Sequence, residues 1–393
     1  MKNPISERVR KVKPSATIAI SSKAMEMRSA GVDVISMSAG EPDFDTPEYI
    51  KDAAKMAMDS GMTKYTQVDG LPDLKHAIIN KFSEDNQLIY DPENILVSTG
   101  AKQTLYNLFQ AILGPGDEVI IISPYWVSYP DMVLLADAKP VIVDTFQENN
   151  FAMDIGAFAD AINDKTKLVI INSPSNPTGI TFSRADYESI GAILENHPNV
   201  YVATDDMYEY IYWGDEPFVS FAQACPSLFD RTITINGVSK SYAMTGWRIG
   251  YCGGPADVIG GMKKVQSQST SNASSISQVA TIAALSGPRD EINAMVEQNK
   301  LRHDYMCKAH NNINGFKTSP GTGAFYLFPD VKDVIEKKGF SDDVDLSQYL
   351  IEEANVAVIP GSAFGSEGYI RLSYATSLDL IKKAVKRISN ALN

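Results

Sequence analysis

The chain has 393 residues, of which 44% are hydrophobic and 21% are charged, and its formal net charge at pH 7 is −13. A chain of this length exceeds what one hydrophobic core usually supports, so we expect a globular protein with two domains. The excess of acidic residues disfavours nucleic acids and anionic membrane surfaces as partners, because both are negatively charged.

The cysteines and histidines exclude two further classes of protein. Cys225, Cys252 and Cys307 are odd in number and far apart, which is typical of a reducing cytosol and not of a disulfide framework. The four histidines lack the spacing of metal ligands, so no metal site is predicted. The basic start of the chain is not followed by an apolar segment, and no apolar run could span a bilayer. We therefore expect a cytoplasmic protein.

The first part of the chain is polar and punctuated by turns. Residues 4–23 are basic and are typical of a frayed arm, and a helix that ends at Gly31 is predicted after them. A short strand is predicted at 33–37. Residues 40–44 read GEPDF, and their glycine and proline predict a structured turn. Tyr65, in the segment TKYT, is by its sequence alone a tyrosine at the edge of a helix.

From residue 95 onward, apolar strands alternate with helices. The predicted strands lie at 95–98, 118–122, 141–144, 167–172, 201–204, 231–235 and 249–252. This alternation predicts an α/β fold, with a mainly parallel sheet between layers of helices. Ligands of such folds bind beyond the carboxyl ends of the strands. Asn176, Asp205 and Lys240 each follow a predicted strand and are therefore candidate site residues.

The pattern changes after Gly287-Pro288. A long helix is predicted at 289–312, followed by strand character at 315–329 and a strand at 356–359. These elements predict a second, smaller α/β domain. We therefore assign residues 48–288 to a large domain, and residues 1–47 together with 289–393 to a small one.

The predicted strand at 95–98 leads into the turn TGAK at 99–102, which opens a helix. The first amides of a helix are free to bind a phosphate, so Gly100 and Ala101 are candidate phosphate ligands. A cation at this position opposes the helix dipole, and Lys102 thus indicates a charged partner. The alternative for Lys102 is an exposed lysine in the first helical turn.

Residues 236–250 read NGVSKSYAMTGWRIG. A lysine amine can form a Schiff base with an aldehyde, and an arginine can hold a phosphate through two hydrogen bonds. Lys240 and Arg248 therefore predict pyridoxal 5'-phosphate, which carries an aldehyde and a phosphate on one ring. The alternatives are a solvated loop for Lys240 and a surface ion pair for Arg248.

Three further positions carry chemistry of this kind. Asp205 and Asp206 follow a strand, and the alternative for such a pair is a helix cap. Trp126, in SPYWVSY, offers a flat aromatic face for stacking, or simple core packing. Arg371, in YIRLSYA, lies within an apolar strand, where an arginine is seldom unpaired, and its planar fork matches a carboxylate.

The segment at 236–250 resembles the cofactor-lysine motif SK-x(3–5)-GxRxG of class I aminotransferases, which have fold type I. Residues 172–179, NSPSNPTG, resemble the NPxNPTG signature of the same family. The resemblance extends from Lys13 to the predicted C-terminal helix. It implies a fold type I transferase with a seven-stranded, mainly parallel sheet in the large domain. It also implies pyridoxal 5'-phosphate as the cofactor and a two-fold homodimer with shared active sites.

The resemblance also implies roles for the individual residues around the cofactor. Lys240 is the aldimine lysine and the general acid–base, and Asp205 keeps the ring nitrogen protonated. At the phosphate, the ligands implied are Gly100, Ala101, Lys102 and Arg248, together with Tyr65 of the neighbouring subunit. Asn176 and Tyr208 are implied at the phenolic oxygen, and Trp126 on the ring. One departure is Gly237, where the family often has a serine that binds the phosphate.

On the substrate side, the resemblance implies Arg371, Asn176 and Gly40 around the α-carboxylate, and Trp126 as a further substrate-binding residue. The best-known aspartate aminotransferases bind the second carboxylate with an arginine, but the corresponding stretch here, QSQS, contains none. The bacterial Iγ subgroup and its Iβ relatives instead have a lysine in the phosphate turn, which matches Lys102.

The implied reaction is ping-pong transfer from L-aspartate to 2-oxoglutarate, giving oxaloacetate and L-glutamate. The alternatives are an enzyme that also transaminates prephenate and, on the same fold, a lyase that uses the same cofactor.

Overall fold

A computed structural model of the protein describes residues 4–14 and 16–393. Its α-helices are α1 (Glu7–Lys11), α2 (Ala16–Ser29), α3 (Glu48–Asp59), α4 (Pro72–Asn86), α5 (Ala101–Ile112), α6 (Ser128–Leu135), α7 (Ile155–Ala161), α8 (Arg184–Leu194), α9 (Phe221–Ala224), α10 (Ala256–Ser267), α11 (Ser275–Ser286), α12 (Asp290–His310), α13 (Lys332–Lys338), α14 (Asp343–Glu352) and α15 (Leu378–Leu392). Its strands are β1 (Ile35–Ser36), β2 (Ile95–Ser98), β3 (Glu118–Ser123), β4 (Lys139–Asp144), β5 (Thr166–Asn172), β6 (Tyr201–Asp205), β7 (Thr232–Gly237), β8 (Gly250–Gly253), β9 (Tyr326–Leu327), β10 (Val356–Ala357), β11 (Ile359–Pro360) and β12 (Ile370–Ser373).

The central sheet has seven strands in the order β2-β8-β7-β6-β5-β3-β4. Its neighbouring strands are parallel except where β8 pairs with β2 and β7. Every residue of β2, β7 and β8 is buried, as expected of strands covered by helices on both faces. The predicted α/β fold with a mainly parallel seven-stranded sheet is therefore confirmed.

Alternate side chains of the strands pack against different helices. In β5, Leu168 and Ile170 belong to the core that includes Phe109 of α5, whereas Val169 and Ile171 belong to the core that includes Tyr187 of α8. This division follows from the period of two in a β-strand. Helices thus cover both faces of the sheet, and ligand-binding residues are left at the ends of the strands.

Two smaller sheets lie in the remainder of the chain. The strands β11, β12 and β9 form an antiparallel sheet, and β1 pairs in parallel with β10. The single strand predicted at 356–359 is wrong, because the chain changes sheets between β10 and β11. In the stretch 315–329, for which strand character is predicted, the structure has the two-residue strand β9. The division into domains at 48–288 and the remainder stays a prediction.

The expectation of a frayed arm at 4–23 is also wrong for the described residues. This stretch contains α1 and the first part of α2. The helix predicted to end at Gly31 is confirmed by α2, but it begins earlier than predicted, at Ala16. Ala24 of α2 is buried against Val34, Ile351 and Ala357, and this tertiary contact stabilises a helix whose first half is polar. In residues 4–14 and 16–393, no helix is both long and apolar enough to cross a membrane.

Candidate active site

A cavity of about 420 Å³ lies at the carboxyl ends of the central strands. It is lined by Thr17, Ile18, Ser21, Ser22, Met25, Ser38, Gly40, Ala101, Lys102, Leu105, Trp126, Asn172, Asn176, Asp205, Met207, Tyr208, Ser239, Lys240, Thr245, Arg248, Tyr326 and Arg371. Its volume is within the range of small-molecule sites. Of the predicted site residues, only Gly100 and Tyr65 are absent from this described lining.

Lys240 lies in the turn that follows β7, and its Nζ donates a hydrogen bond to the carbonyl of Gly40. Burial lowers the pKa of Lys240 to about 8, and Arg371 and Arg248 act in the same direction, whereas Glu41 opposes them. A lowered pKa increases the fraction of neutral amine near pH 7, and the neutral amine is the form that attacks a carbonyl group.

Asp205 ends β6 and is almost completely buried. Its Oδ2 accepts a hydrogen bond of 2.6 Å from the hydroxyl of Tyr129, whereas its Oδ1 has no partner among the described residues. Burial raises the pKa of Asp205 to about 6, although the bonds from Tyr129 and the Met207 amide lower it. A buried carboxylate oxygen without a partner at a cavity is suited to a cationic donor on a ligand.

The turn between β2 and α5 forms an anion site. Gly100 has a φ of +86°, and the guanidinium of Arg248 lies so close to it that a side chain would overlap with the guanidinium. The first bond within this helix comes from the amide of Gln103, which donates to Gly100 at 2.9 Å. The preceding amides, of Ala101 and Lys102, therefore have no acceptor in the helix and can bind an anion beside Arg248.

Two hydrogen bonds hold the guanidinium of Arg371, a residue of β12, in a fixed plane. Its Nη1 donates to Asn176 Oδ1 at 3.0 Å and its Nη2 donates to the carbonyl of Ser38 at 2.8 Å. Its Nε has no partner in the part of the chain that the structure describes, although the residue is 3% exposed. A buried guanidinium at a cavity with a donor to spare is arranged for a carboxylate.

Hydrogen bonds connect the Asn176 turn to the central sheet. The amide of Asn176 donates to Asn172 Oδ1 at 2.8 Å, and Asn172 Nδ2 donates to the carbonyl of Asp205 at 2.7 Å. Because β5 and β6 are neighbours, these two bonds fix Asn176 relative to Asp205. Tyr208, three residues after Asp205, reaches the same cavity and its hydroxyl lies 2.9 Å from that of Tyr326.

Trp126 is partly buried, and it both packs against the core around Tyr129 and lines the cavity. Lys102 Nζ lies 4.8 Å from the centroid of this ring. Burial and then the neighbouring Arg248 lower the pKa of Lys102. Both residues therefore border the space in which a ligand would lie.

Tyr65 is 91% exposed and lies outside the cavity of its own chain. Gly237, the departure from the family pattern, is tightly packed. A Cβ there would lie 3.0 Å from the carbonyl oxygen of Ile249 and 3.2 Å from Gly250 Cα. The close pairing of β7 with β8 therefore favours glycine at this position.

The alternative of a helix cap does not hold for Asp206. A turn follows it, and its side chain is buried with both oxygens unpaired among the described residues. Two residues that contact site residues, Tyr129 and Tyr326, were missed by the sequence reasoning. The position of Tyr129 three residues after Trp126 is a weak signal, and Tyr326 had none, because its contacts depend on the pairing of β9 with β12.

The family model of class I and II aminotransferases matches residues 32–388. The chain belongs to this family. The aspartate/prephenate aminotransferase of Nitrosomonas europaea is 49% identical over 99% of this chain and 100% of its own. The aspartate aminotransferase of a Bacillus species is 49% identical over 99% of both chains.

Solved structures agree with this assignment. The aspartate aminotransferase of Rhizobium meliloti has a TM-score of 0.94 and 44% identity, and the alignment covers 99% of both chains. That of Thermus thermophilus, solved with maleate, has a TM-score of 0.94 and 41% identity over 99% of this chain and 100% of its own. The predicted fold type I architecture of this aminotransferase is therefore confirmed.

This aminotransferase uses pyridoxal 5'-phosphate, as predicted. The cavity fits that cofactor on three observations of its own. Asp205 has a buried oxygen free for the ring nitrogen, the Gly100 turn with Arg248 offers amides and a cation for the phosphate, and Lys240 offers an amine for the aldehyde. Each of these groups matches one part of the cofactor in chemistry and in charge.

Proposed function

We propose that this aminotransferase transfers the amino group of L-aspartate to 2-oxoglutarate and releases oxaloacetate and L-glutamate. The observation that carries the proposal is the pair of cations at the cavity, Arg371 and Lys102, that are additional to the lysine and arginine of the cofactor site. A substrate with two carboxylates needs two such cations. Relatives with 49% identity bear the name aspartate aminotransferase or aspartate/prephenate aminotransferase, and the Thermus structure contains the dicarboxylate maleate.

In this proposal, Arg371 binds the α-carboxylate through Nε and the remaining N–H groups of its fork. The side-chain oxygen of Asn176 accepts from Arg371 Nη1 and fixes the angle of the guanidinium plane. The side-chain NH2 group of Asn176 also binds the substrate. Gly40 brings its backbone to the same part of the cavity. The substrate is thereby oriented with its Cα hydrogen near Lys240.

Lys240 moves the proton from the substrate's Cα during the reaction. With a pKa of about 8, its amine can accept a proton and return it near neutral pH. Pyridoxal 5'-phosphate supplies the electron sink when it is bound. Asp205 would hold its ring nitrogen, Tyr208 and Asn176 its phenolic oxygen, and Trp126 its face. Arg248 and the backbone amides of the Gly100 turn, those of Ala101 and Lys102, would hold its phosphate end, which leaves the Lys102 side chain for the substrate.

Lys102 is proposed as the cation for the distal carboxylate. Replacing it by methionine, which retains much of its length, should raise KM for aspartate and 2-oxoglutarate about tenfold or more, because a charge-assisted hydrogen bond is lost. KM for a neutral amino acid such as alanine should change much less. Equal losses for both classes of substrate would contradict this role.

A second candidate function adds prephenate as an amino acceptor. The relative from Nitrosomonas europaea and a 48% identical relative from Cereibacter sphaeroides are both named for aspartate and prephenate. The test supplies L-glutamate as the donor and either oxaloacetate or prephenate as the acceptor. Values of kcat/KM within about tenfold of each other would establish both activities, whereas no turnover of prephenate would restrict the enzyme to aspartate.

We also propose a homodimer in which Tyr65 reaches the cofactor phosphate of the partner. The support is the 91% exposure of Tyr65, together with the exposed side chains of Met56 and Met62 nearby in the chain. Mixing the variants Tyr65→Phe and Lys240→Ala under conditions that exchange subunits provides the test. Shared sites would place both substitutions in one site of the hybrid and leave the other site intact, so activity would rise above that of either parent. No rise despite verified exchange would contradict shared sites.

A location in the cytoplasm belongs to the same proposal. It is supported by the three cysteines, which form no disulfide in the structure.

A further inference from the structure

Tyr326 contacts both Tyr208 and Arg371 at the cavity. It belongs to β9 and lies opposite Ser373 of β12. Arg371 is two residues from Ser373, so the side chains of Tyr326 and Arg371 project from the same face of the small sheet. Tyr326 is 1% exposed, and its side chain lines the cavity.

The hydroxyl of Tyr326 has a specific neighbour. It lies 2.9 Å from the hydroxyl of Tyr208, so one of the two hydroxyls donates to the other. The two rings are 5.9 Å apart and nearly perpendicular, with an interplanar angle of 79°. A Cβ at Gly40 would be 3.3 Å from the same hydroxyl, so Tyr326 also borders the turn whose carbonyl accepts from Lys240.

The ring of Tyr326 has a different neighbour, the guanidinium of Arg371. The central carbon of this guanidinium lies 4.5 Å from the centroid of the Tyr326 ring and 4.9 Å from that of Phe364. These contacts are within cation–π distance and occupy the flat surface of the guanidinium. The Nη1 and Nη2 groups bond to Asn176 and Ser38, and Nε is buried without a partner among the described residues.

We propose that Tyr326 is a positioning residue with two separable roles: its hydroxyl orients the hydroxyl of Tyr208 toward the cofactor, and its ring holds Arg371 in the plane that receives the substrate carboxylate. The inference rests on the proposed function, in which Tyr208 and Arg371 contact the cofactor and the substrate. In this proposal, the hydroxyl of Tyr326 donates to that of Tyr208, and the hydroxyl of Tyr208 donates to the phenolic oxygen of the cofactor. The first bond strengthens the second, since such bonds polarise each other.

Ordinary core packing is the competing explanation, because Tyr326 also contacts the core around Phe325 and Leu372. Two substitutions separate the roles. Tyr326→Phe removes only the hydroxyl, and Tyr326→Leu removes the ring as well. Tyr374→Phe is the matched control, because Tyr374 is fully buried in the same core but its hydroxyl bonds to the carbonyl of Ala324.

The experiment measures four quantities, the first three on the cofactor-loaded variants and the last on the apoproteins. The pH midpoint of the visible absorbance of the bound cofactor reports the hydrogen bond at its phenolic oxygen. KM for L-aspartate and Kd for maleate report the carboxylate site. Thermal unfolding of each apoprotein identifies a loss that is only structural.

We expect Tyr326→Phe to raise the pH midpoint of the absorbance by roughly half a unit or more, because a weaker donor stabilises the deprotonated form less. KM and the Kd for maleate should stay within about twofold. Tyr326→Leu should in addition raise both about tenfold, because the ring contact with the cation is lost. Tyr374→Phe should leave the pH midpoint, KM and Kd unchanged.

An unchanged pH midpoint in Tyr326→Phe would overturn the role of the hydroxyl. Unchanged KM and Kd in Tyr326→Leu would overturn the role of the ring. Combining Tyr326→Phe with Tyr208→Phe gives a second test, since the double variant should shift the midpoint no further than Tyr208→Phe alone. Additive shifts would contradict the coupling of the two hydroxyls.

The failure of the proposed function would be distinguishable from these outcomes. If the wild-type enzyme did not transaminate aspartate, that function would fall, but the absorbance titration would still test the hydroxyl of Tyr326.

Discussion

Two groups of buried polar side chains lie near the carboxyl end of β6, and they differ in how their atoms are paired. At the cavity, Asp205 Oδ1 and Arg371 Nε have no partner among residues 4–14 and 16–393. In the second group, Lys81 forms an ion pair with Glu209 and donates to Asn86 at 2.7 Å, and Asn86 donates to the other oxygen of Glu209 at 3.1 Å. We call Lys81, Glu209 and Asn86 the paired cluster.

The comparison shows which buried charges are arranged for a ligand. A buried polar atom without a partner costs free energy, so its presence at a cavity indicates that a ligand provides the missing bond. The paired cluster needs no ligand, and we expect it to act on stability alone. Asp206 lies next to both groups, and burial followed by repulsion from Glu209 raises its pKa well above the usual range.

Lys240→Ala should have the largest effect on catalysis. It removes the amine that binds the aldehyde and moves the proton, and kcat should fall by more than about 10⁴-fold. The variant should retain the unfolding transition of the wild-type apoprotein. Steady-state turnover with aspartate and 2-oxoglutarate provides the measurement, and ordinary turnover in this variant would refute the assigned role.

Lys81→Met should affect stability instead of chemistry. It leaves the Glu209 carboxylate buried without a cation, so the free energy of unfolding should fall by about 3–5 kcal/mol. The double variant Lys81→Met/Glu209→Leu should recover most of that loss, because it removes both charges. Denaturant unfolding of the wild type and the two variants measures the effect. A large loss of kcat without a loss of stability would break the distinction between the two groups.

Asp205→Asn tests the group at the cavity. The amide keeps the shape of the side chain but cannot offer a negative charge to the ring nitrogen, so kcat should fall roughly 10²- to 10³-fold. The stability of the apoprotein should stay equal or rise, because a buried acid is removed. Reduced stability together with normal turnover would reverse the roles that we assign to the two groups.

Tyr129→Phe should change the pH dependence of cofactor binding. The hydroxyl of Tyr129 stabilises the Asp205 carboxylate, so its loss should raise the pKa of Asp205 further above about 6, by about one pH unit or more. The carboxylate is present only above this pKa. As the pH is lowered, cofactor binding should therefore weaken at a higher pH in the variant than in the wild type. Titration of the apoprotein with cofactor from pH 5 to pH 8 provides the check, and identical profiles would contradict the coupling.

Lys55→Ala should have the smallest effect. Its ion pairs with Glu48 and Asp52 are exposed, and solvent screens such pairs. The midpoint of unfolding and kcat should both equal those of the wild type within error. A loss comparable to that of Lys81→Met would show that exposure does not separate the two kinds of ion pair.

The sequence predicted the central sheet well because its strands are short apolar runs with clear ends. The same regularity placed Asn176, Asp205 and Lys240 at one edge of the sheet. Charge and residue type then indicated what Arg248, Arg371 and Lys102 could bind. These features depend on local sequence and on the general geometry of α/β proteins.

Other features depend on contacts between distant segments and could not be predicted in this way. The start of helix α2 at Ala16 lies in a polar stretch, and the helix is stabilised by the burial of Ala24 against distant residues. The break between β10 and β11 is set by their different partners. The hydroxyls of Tyr129 and Tyr326 reach Asp205 and Tyr208 only in the folded chain, at separations of 76 and 118 residues.

A single-turnover experiment tests the central claim most directly. The cofactor-loaded enzyme is mixed with L-aspartate in the absence of any oxo acid, and oxaloacetate is measured together with the absorbance of the cofactor. We predict one equivalent of oxaloacetate per protomer and a loss of the visible absorbance, which stoichiometric 2-oxoglutarate restores with release of L-glutamate. Absence of oxaloacetate, together with an absorbance that aspartate leaves unchanged, would contradict the account.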